Sequence, residues 1–366
     1  MYRPYLKGLN TLRFFAAFFV IMSHGQISVQ KMGFNKYQNL PFFNRGGDAV
    51  EFFFTLSGFL ITYLLQKEVE KTGTVSVRAF YMRRVFRIWP LYFLVVILGF
   101  LFLGVIYPKL SGQQFFEFSI AKGLLLFFCF LPNLAAAFYP TGLLHPLWSI
   151  GVEEQYYLFW APLVKVFRNN VASLVIFFLV VTYTWYGVLN SCRLQVSPQV
   201  LDFLLSQKFY AMATGGFFGL VLCRYPEQYK RSIFASKPAQ LIIIAVTVYY
   251  FFIGYPYVGG AVIHVLLSCL YGLLIINSAV LEKPMVSLEN KLLTWLGVIS
   301  YGLYMFHMLV DYALRYFANY LNLSRLPLPV LMLTYQLALL GGSIFIASIS
   351  YKYFESYFLR LKERYA

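Results

Sequence analysis

Ten apolar runs, at 9–27, 49–65, 88–106, 120–138, 172–189, 209–222, 239–253, 260–281, 293–309 and 330–349, constrain this chain more than any other feature. A helix needs about 20 predominantly apolar residues to cross a hydrocarbon core of about 30 Å. The sixth run is short by that measure. Hydrophobic residues make up 60% of the 366 positions and charged residues only 12%, too few charges to cover a water-soluble domain of this size. The expected fold class is therefore an all-α, polytopic transmembrane helix bundle of about ten spans. Residues 1–366 are expected to form one integral-membrane domain, with no fused soluble domain. One further region, 143–166, is ambiguous because Glu153 and Glu154 sit inside it, and a carboxylate facing lipid costs several kcal/mol. It either spans, re-enters or lies along a surface.

The net charge of +16 could suggest nucleic acid, but its distribution argues for orientation in a membrane. Lys67, Lys71, Arg78, Arg83, Arg84 and Arg87 crowd the loop after the second run, and Arg224, Lys230, Arg231 and Lys237 the loop after the sixth. Arg3 and Lys7 begin the chain, and Lys352, Arg360, Lys362 and Arg364 lie near its end. All fall on one side if 143–166 does not cross, and the positive-inside rule makes that side the cytoplasm. Both termini are then cytoplasmic, membrane lipid is a partner and nucleic acid is not. The first run carries Arg13 and His24 and lacks a convincing cleavage site, so it reads as a mature helix rather than a signal peptide. Cys129, Cys192, Cys223 and Cys269 show no paired spacing for metal or redox chemistry. No metal and no permanently bound cofactor is expected.

Ionisable residues inside spans are expensive, which makes them functional candidates. Arg13 and His24 are eleven residues apart, which returns to within roughly 20° of one helix face about 16 Å further along the axis. Snorkelling of Arg13 to headgroups is the plain alternative. Arg84 and Arg87 lead into the third run; their planar guanidinium groups suit phosphate recognition, although basic residues at a cytoplasmic helix end are also ordinary topology signals. In 144–157 a helix would place Ser149, Glu153 and Tyr157 on one face by steps of four. An N-terminal capping arrangement explains that pattern without chemistry. Ser300, Tyr304 and His307 share a face by steps of four and three, with helix packing through Ser300 as the alternative. His264, alone in an apolar run, reads as a buried structural histidine.

Taken in order, these segments resemble the acyltransferase-3 family of integral-membrane acyltransferases, which includes O-antigen and other polysaccharide O-acetylases. Arg13, ten residues and His24 resemble its arginine and histidine signature; Glu51-Phe52-Phe53-Phe54-Thr55-Leu56-Ser57-Gly58 resembles its second-helix motif. Arg84, Arg87 and Pro90 resemble its basic motif, and Trp148-Ser149 with Glu153 and Tyr157, then Ser300-Tyr301 with Tyr304 and His307, resemble two further blocks. The chain departs from many relatives at Asn10 and Thr11, where they carry an acidic residue and a glycine, and at Tyr357, two places after Glu355, where they carry proline.

The resemblance implies a bacterial inner-membrane enzyme with acetyl-CoA or another acyl-CoA as donor substrate and a carbohydrate hydroxyl, on a polysaccharide or lipid-linked sugar, as acceptor. It implies His24 as general base, Arg13 as a donor-binding or electrostatic partner, and Glu153 as an orienting or proton-accepting residue. Arg84 and Arg87 would contact the CoA phosphates, while Ser300, Tyr304, His307 and Ser149 would line the acceptor path. A covalent acyl-histidine relay is a second route. The reading from another class is a transporter or flippase for a lipid-linked sugar or organic anion, but the repeated halves with interrupted helices common in transporters are not evident.

Overall fold

Hydrocarbon offers backbone N–H and C=O groups no partner, so an apolar run must satisfy them internally as helix. The computed structural model follows that rule throughout the residues it describes, 6–33, 40–191, 196–254, 260–321 and 326–365. Arg3 and Cys192 lie outside these residues. The main helices are α1 (Leu9–Lys31), α2 (Gly46–Thr72), α3 (Val77–Leu101), α4 (Ile120–Phe128), α5 (Pro132–Phe138), α6 (Leu147–Val166), α7 (Val171–Ser191), α8 (Pro198–Ser206), α9 (Phe209–Arg224), α10 (Lys237–Phe252), α11 (Ala261–Val280), α12 (Lys291–Val298), α13 (Ser300–Tyr320), α14 (Leu328–Ser350) and α15 (Ser356–Glu363). No strand occurs among the described residues. Several starts are set by side-chain caps. Ser76 Oγ accepts from the N–H of Ala79, Ser236 Oγ from Ala239, and Asn290 Oδ1 from Leu292 and Leu293.

Six described helices are long and apolar enough to cross a membrane, seven if α12 and α13, bent by 68°, count as one span. Length and composition alone thus fall short of about ten. Two expected runs depart from the sequence reading: 293–309 is broken by the bend between α12 and α13, and the other is 120–138. Residues 120–138 are not one helix: α4 and α5 are separated at Cys129–Leu131, where Phe130 has φ 55°. Tyr92 OH donates to the Phe127 carbonyl and Phe130 stacks on Tyr92, while Lys122 at one end reaches Tyr139 at the other. The segment dips to the level of Tyr92 and returns, a hairpin against α3.

The ambiguous region 143–166 is helical over most of its length. It contains the 20-residue helix α6, which runs antiparallel to α3: Tyr81 OH donates to the Leu158 carbonyl, Trp89 Nε1 to Glu154 Oε2, and Gly99 faces Leu144. Glu154 thereby meets an indole N–H rather than lipid, so its cost is reduced.

Around this pair, α9 runs beside α2 at close range. Gly58 faces the Met212 carbonyl, Gly215 that of Thr55 and Gly219 that of Phe59. Here the absence of Cβ atoms lets the two backbones touch, as small residues four apart do in membrane helices. Basic ends collect on one side: Lys67 Nζ reaches the Cys223 carbonyl, Arg83 pairs with Glu68, and Arg83 also donates to the Tyr365 carbonyl. The C-terminal helix α15 folds back onto α3 through a π-helical segment, Tyr351–Glu355.

Candidate active site

The helices α1, α2, α3, α6 and α13 enclose a polar cavity of about 100 Å³. Into it project Arg13 from α1, Ser57 from α2, Arg84 and Arg87 from α3, Ser149, Glu153 and Tyr157 from α6, and Ser300 and Tyr304 from α13. Five distant stretches of sequence therefore converge. The step-of-four reading of α6 describes its geometry: Ser57 Oγ donates to Glu153 Oε1 (2.7 Å) and Tyr157 OH to Glu153 Oε2 (3.0 Å). Capping does not account for Ser149, because the helix begins at Leu147 without a side-chain cap and Ser149 Oγ donates to the Pro146 carbonyl.

The charges in this cavity are unevenly served. Glu153 has both carboxylate oxygens occupied by hydroxyl donors. The three arginines do not: among the described residues no carboxylate oxygen lies within 4.0 Å of Arg13, Arg84 or Arg87. Arg13 Nη1 donates to the neutral Asn10 Oδ1 (3.1 Å), an amide rather than an acid. Arg84 sits over the rings of Phe80 and Tyr157, 5.6 and 5.5 Å from their centroids, and its buried Nε has no hydrogen-bond partner. Three guanidinium groups thus share one small cavity with Glu153 as its carboxylate, an excess of positive charge, and a desolvated cation without a close partner is costly.

His24 and His307 lie beyond the cavity wall formed by Tyr304. Tyr304 OH donates to the Pro146 carbonyl (2.9 Å) and is 2.7 Å from Ser149 Oγ. The His307 ring is 5.8 Å from that of Tyr304 and 4.9 Å from that of His24, and His307 Nε2 is 3.2 Å from His24 Nδ1. The structure therefore unites the sequence candidates in two adjoining compartments, one of arginines and one of histidines, with the Ser149–Tyr304 pair where they meet.

Two buried carboxylates were not among the candidate site residues read from the sequence. Glu355, on the π-helical segment, is 8% exposed, accepts from Ser350 Oγ (3.0 Å) and lies close enough to Arg87 to interact electrostatically. Its signal was a lone carboxylate at the end of an apolar run, beside a segment geometry that no local pattern announces. Glu51 is the other. It is fully buried, and His264 is not a solitary structural histidine but its hydrogen-bond partner at 2.7 Å. Among the described residues no group of three His, Cys, Asp or Glu side chains could hold a metal ion.

Comparison with known proteins bears on the family of the chain as a whole. The acyltransferase-domain model of the acyltransferase-3 family matches residues 6–352. Peptidoglycan O-acetyltransferase OatA of Listeria monocytogenes is 25% identical over 331 residues, which cover 83% of this chain and 49% of that protein. O-acetyltransferase OatA of Staphylococcus aureus is 30% identical over 190 residues, 49% of this chain and 29% of that protein. The chain spans about half the length of the curated relatives it matches. No solved structure matches it.

Proposed function

Because this chain belongs to the acyltransferase-3 family, we propose that it is a membrane-embedded O-acyltransferase moving an acetyl or other acyl group from acyl-CoA to a hydroxyl of a cell-wall or exported carbohydrate. The observation that carries the donor assignment is the set of three arginines without carboxylate partners around one cavity. CoA brings several phosphate charges on a long arm, and guanidinium groups bind phosphate through charge-assisted, often bidentate hydrogen bonds. The relatives are O-acetyltransferases, one of them a peptidoglycan O-acetyltransferase, which supports acetyl as the acyl group and a glycan as the acceptor.

Antiparallel order supports ten crossings with both termini cytoplasmic. In that reading α1, α2, α3, α6, α7, α9, α10, α11, the α12–α13 pair and α14 alternate in direction, and α4–α5 is a re-entrant hairpin. The span at 120–138 is exchanged for one at 147–166, so parity is kept and the basic loops stay on one side. Arg84 and Arg87 then face the cytoplasmic donor pool, and His24 lies about 16 Å deeper than Arg13.

A sugar hydroxyl is a poor nucleophile until a base takes its proton. His24 removes that proton as the hydroxyl oxygen attacks the thioester carbonyl carbon. The C–O bond forms, the C–S bond breaks, and the proton held by His24 passes to the departing CoA sulfur. Ester and free CoA are the products. Glu153, held by Ser57 and Tyr157, orients the arginine side of the cavity, while Ser149, Ser300, Tyr304 and His307 line the passage toward the acceptor. The transporter alternative receives no support from the family match.

Purified protein incubated with acetyl-CoA and glycan fragments tests the reading. Acceptor-dependent release of free CoA, matched by an acetyl mass on the glycan and abolished in His24→Ala, is expected. Absence of both products from correctly folded wild-type protein, across a panel of cell-wall and exported glycans, would refute it.

A further inference from the structure

We infer that His307 is a positioning residue that holds His24 in the tautomer bearing hydrogen on Nδ1, leaving Nε2 as the basic atom; this rests on the reading of His24 as the base. The argument begins with two carbonyl oxygens, which can only accept. His307 Nδ1 lies 2.7 Å from the Tyr304 carbonyl, so Nδ1 carries the hydrogen, and in the neutral ring Nε2 is left as an acceptor. That Nε2 faces His24 Nδ1 at 3.2 Å. His24 Nδ1 also lies 3.0 Å from the Val20 carbonyl. Both neighbours of His24 Nδ1 are thus acceptors, and the hydrogen must sit between them. The remaining nitrogen of His24, Nε2, makes no hydrogen bond among the described residues.

Val20 would be a weak orienter alone, because its carbonyl lies one turn back, where it accepts the helical N–H of His24 itself. His307 supplies the second and independent acceptor, and it is fully buried, so water does not compete. A carboxylate commonly does this work for a catalytic histidine. The nearest candidate on α13 is Asp311, but it is engaged by Ser28 Oγ (2.7 Å), Tyr335 OH (2.9 Å) and Arg315 Nε (3.2 Å) instead. When Nε2 of His24 takes the hydroxyl proton, the resulting imidazolium donates from Nδ1 to His307 Nε2, a charge-assisted bond stronger than the neutral one. The chain of bonds ends on the Tyr304 carbonyl and releases no proton.

Nitrogen-15 spectra of histidine-labelled, full-length protein in lipid bilayers test this directly, since the sequence has only 4 histidines and His24→Gln identifies the His24 signals. Wild-type His24 is expected with Nδ1 protonated and Nε2 bare. A wild-type His24 protonated on Nε2 overturns the inference. In kinetics, His307→Leu should lower kcat about 100-fold, the lower range of general-base catalysis, with KM for acetyl-CoA unchanged. His307→Gln, whose carbonyl oxygen can accept, should recover about tenfold of that loss. Wild-type kcat in His307→Leu, or no recovery in a folded His307→Gln, also counts against it. Should His307→Leu fail to fold, the wild-type spectrum and the glutamine variant decide. If instead His24→Ala retains normal transfer, the base assignment falls while the tautomer result stands on its own.

Discussion

Helix α2 carries two buried polar clusters about 9 Å apart along its axis, and they are built in opposite ways. At Glu51 every part of the charge is answered: Lys208 Nζ at 3.3 Å, His264 Nδ1 at 2.7 Å, Tyr210 OH at 3.0 Å and Ser268 Oγ at 3.0 Å. These partners come from α11, from α9 and from Lys208 at its start, so the carboxylate ties three parts of the bundle together. Around Ser57 the cavity instead holds Arg13, Arg84 and Arg87 with no carboxylate within 4.0 Å among the described residues. A closed cluster needs nothing from outside and is structural. An open one is left short of negative charge, which a ligand can supply.

Removing a partner from each cluster should therefore have opposite consequences. Lys208→Met strands the Glu51 carboxylate, and breaking a buried pair costs about 3–5 kcal/mol, visible as a large fall in thermal unfolding temperature in detergent. Arg87→Met should leave unfolding unchanged or raise it, because it removes a largely desolvated cation that has no carboxylate within 4.0 Å among the described residues and meets Glu355 only at longer range. Equal destabilisation by the two variants would erase the distinction between the clusters. The contact of α2 with α9 carries both sites and gives the next largest effect. Gly215→Leu drives a side chain into the Thr55 carbonyl, and overpacking of this kind costs about 1–3 kcal/mol. Donor affinity and stability should fall together here, unlike in either charge variant.

Smaller effects sharpen the open cluster. Arg84→Ala should raise the acetyl-CoA requirement about tenfold, the equivalent of about 1.4 kcal/mol, and Arg84→Lys should restore it only in part, since an ammonium lacks the planar fork. An Arg84→Lys protein indistinguishable from wild type would reduce Arg84 to a point charge. Tyr304→Phe removes the bonds to Pro146 and Ser149 at a cost of about 1 kcal/mol. It should lower the unfolding temperature only slightly while altering kcat, because Tyr304 sits where the arginine and histidine compartments meet. Stopped kinetic assays at saturating donor separate the two readouts.

The sequence exposed the parts of this site that depend on helical spacing. Arg13 with His24, Ser149 with Glu153 and Tyr157, and Ser300 with Tyr304 and His307 all occupy the faces that steps of three, four and eleven dictate. Contacts between distant helices were a different matter. His264 and Glu51 are 213 positions apart, and an isolated histidine in an apolar run gives no sign of its partner. Hydropathy also misjudged 120–138, because a hairpin packed against α3 is as apolar as a span and differs only at the turn around Phe130. Region 143–166 was ambiguous for the converse reason: Glu153 and Glu154 look prohibitive until Ser57, Tyr157 and Trp89 supply donors.

Equilibrium binding of CoA to the purified protein in lipid nanodiscs tests the central claim most directly, with the Arg84→Gln/Arg87→Gln double variant measured alongside wild type at low and high salt. Wild type should bind CoA with an affinity that weakens as salt rises, and the double variant should bind at least about tenfold more weakly while unfolding at the same temperature or higher. Equal CoA affinity in the two folded proteins would contradict the account, because the unpaired arginines of the cavity would then have no anion to answer them.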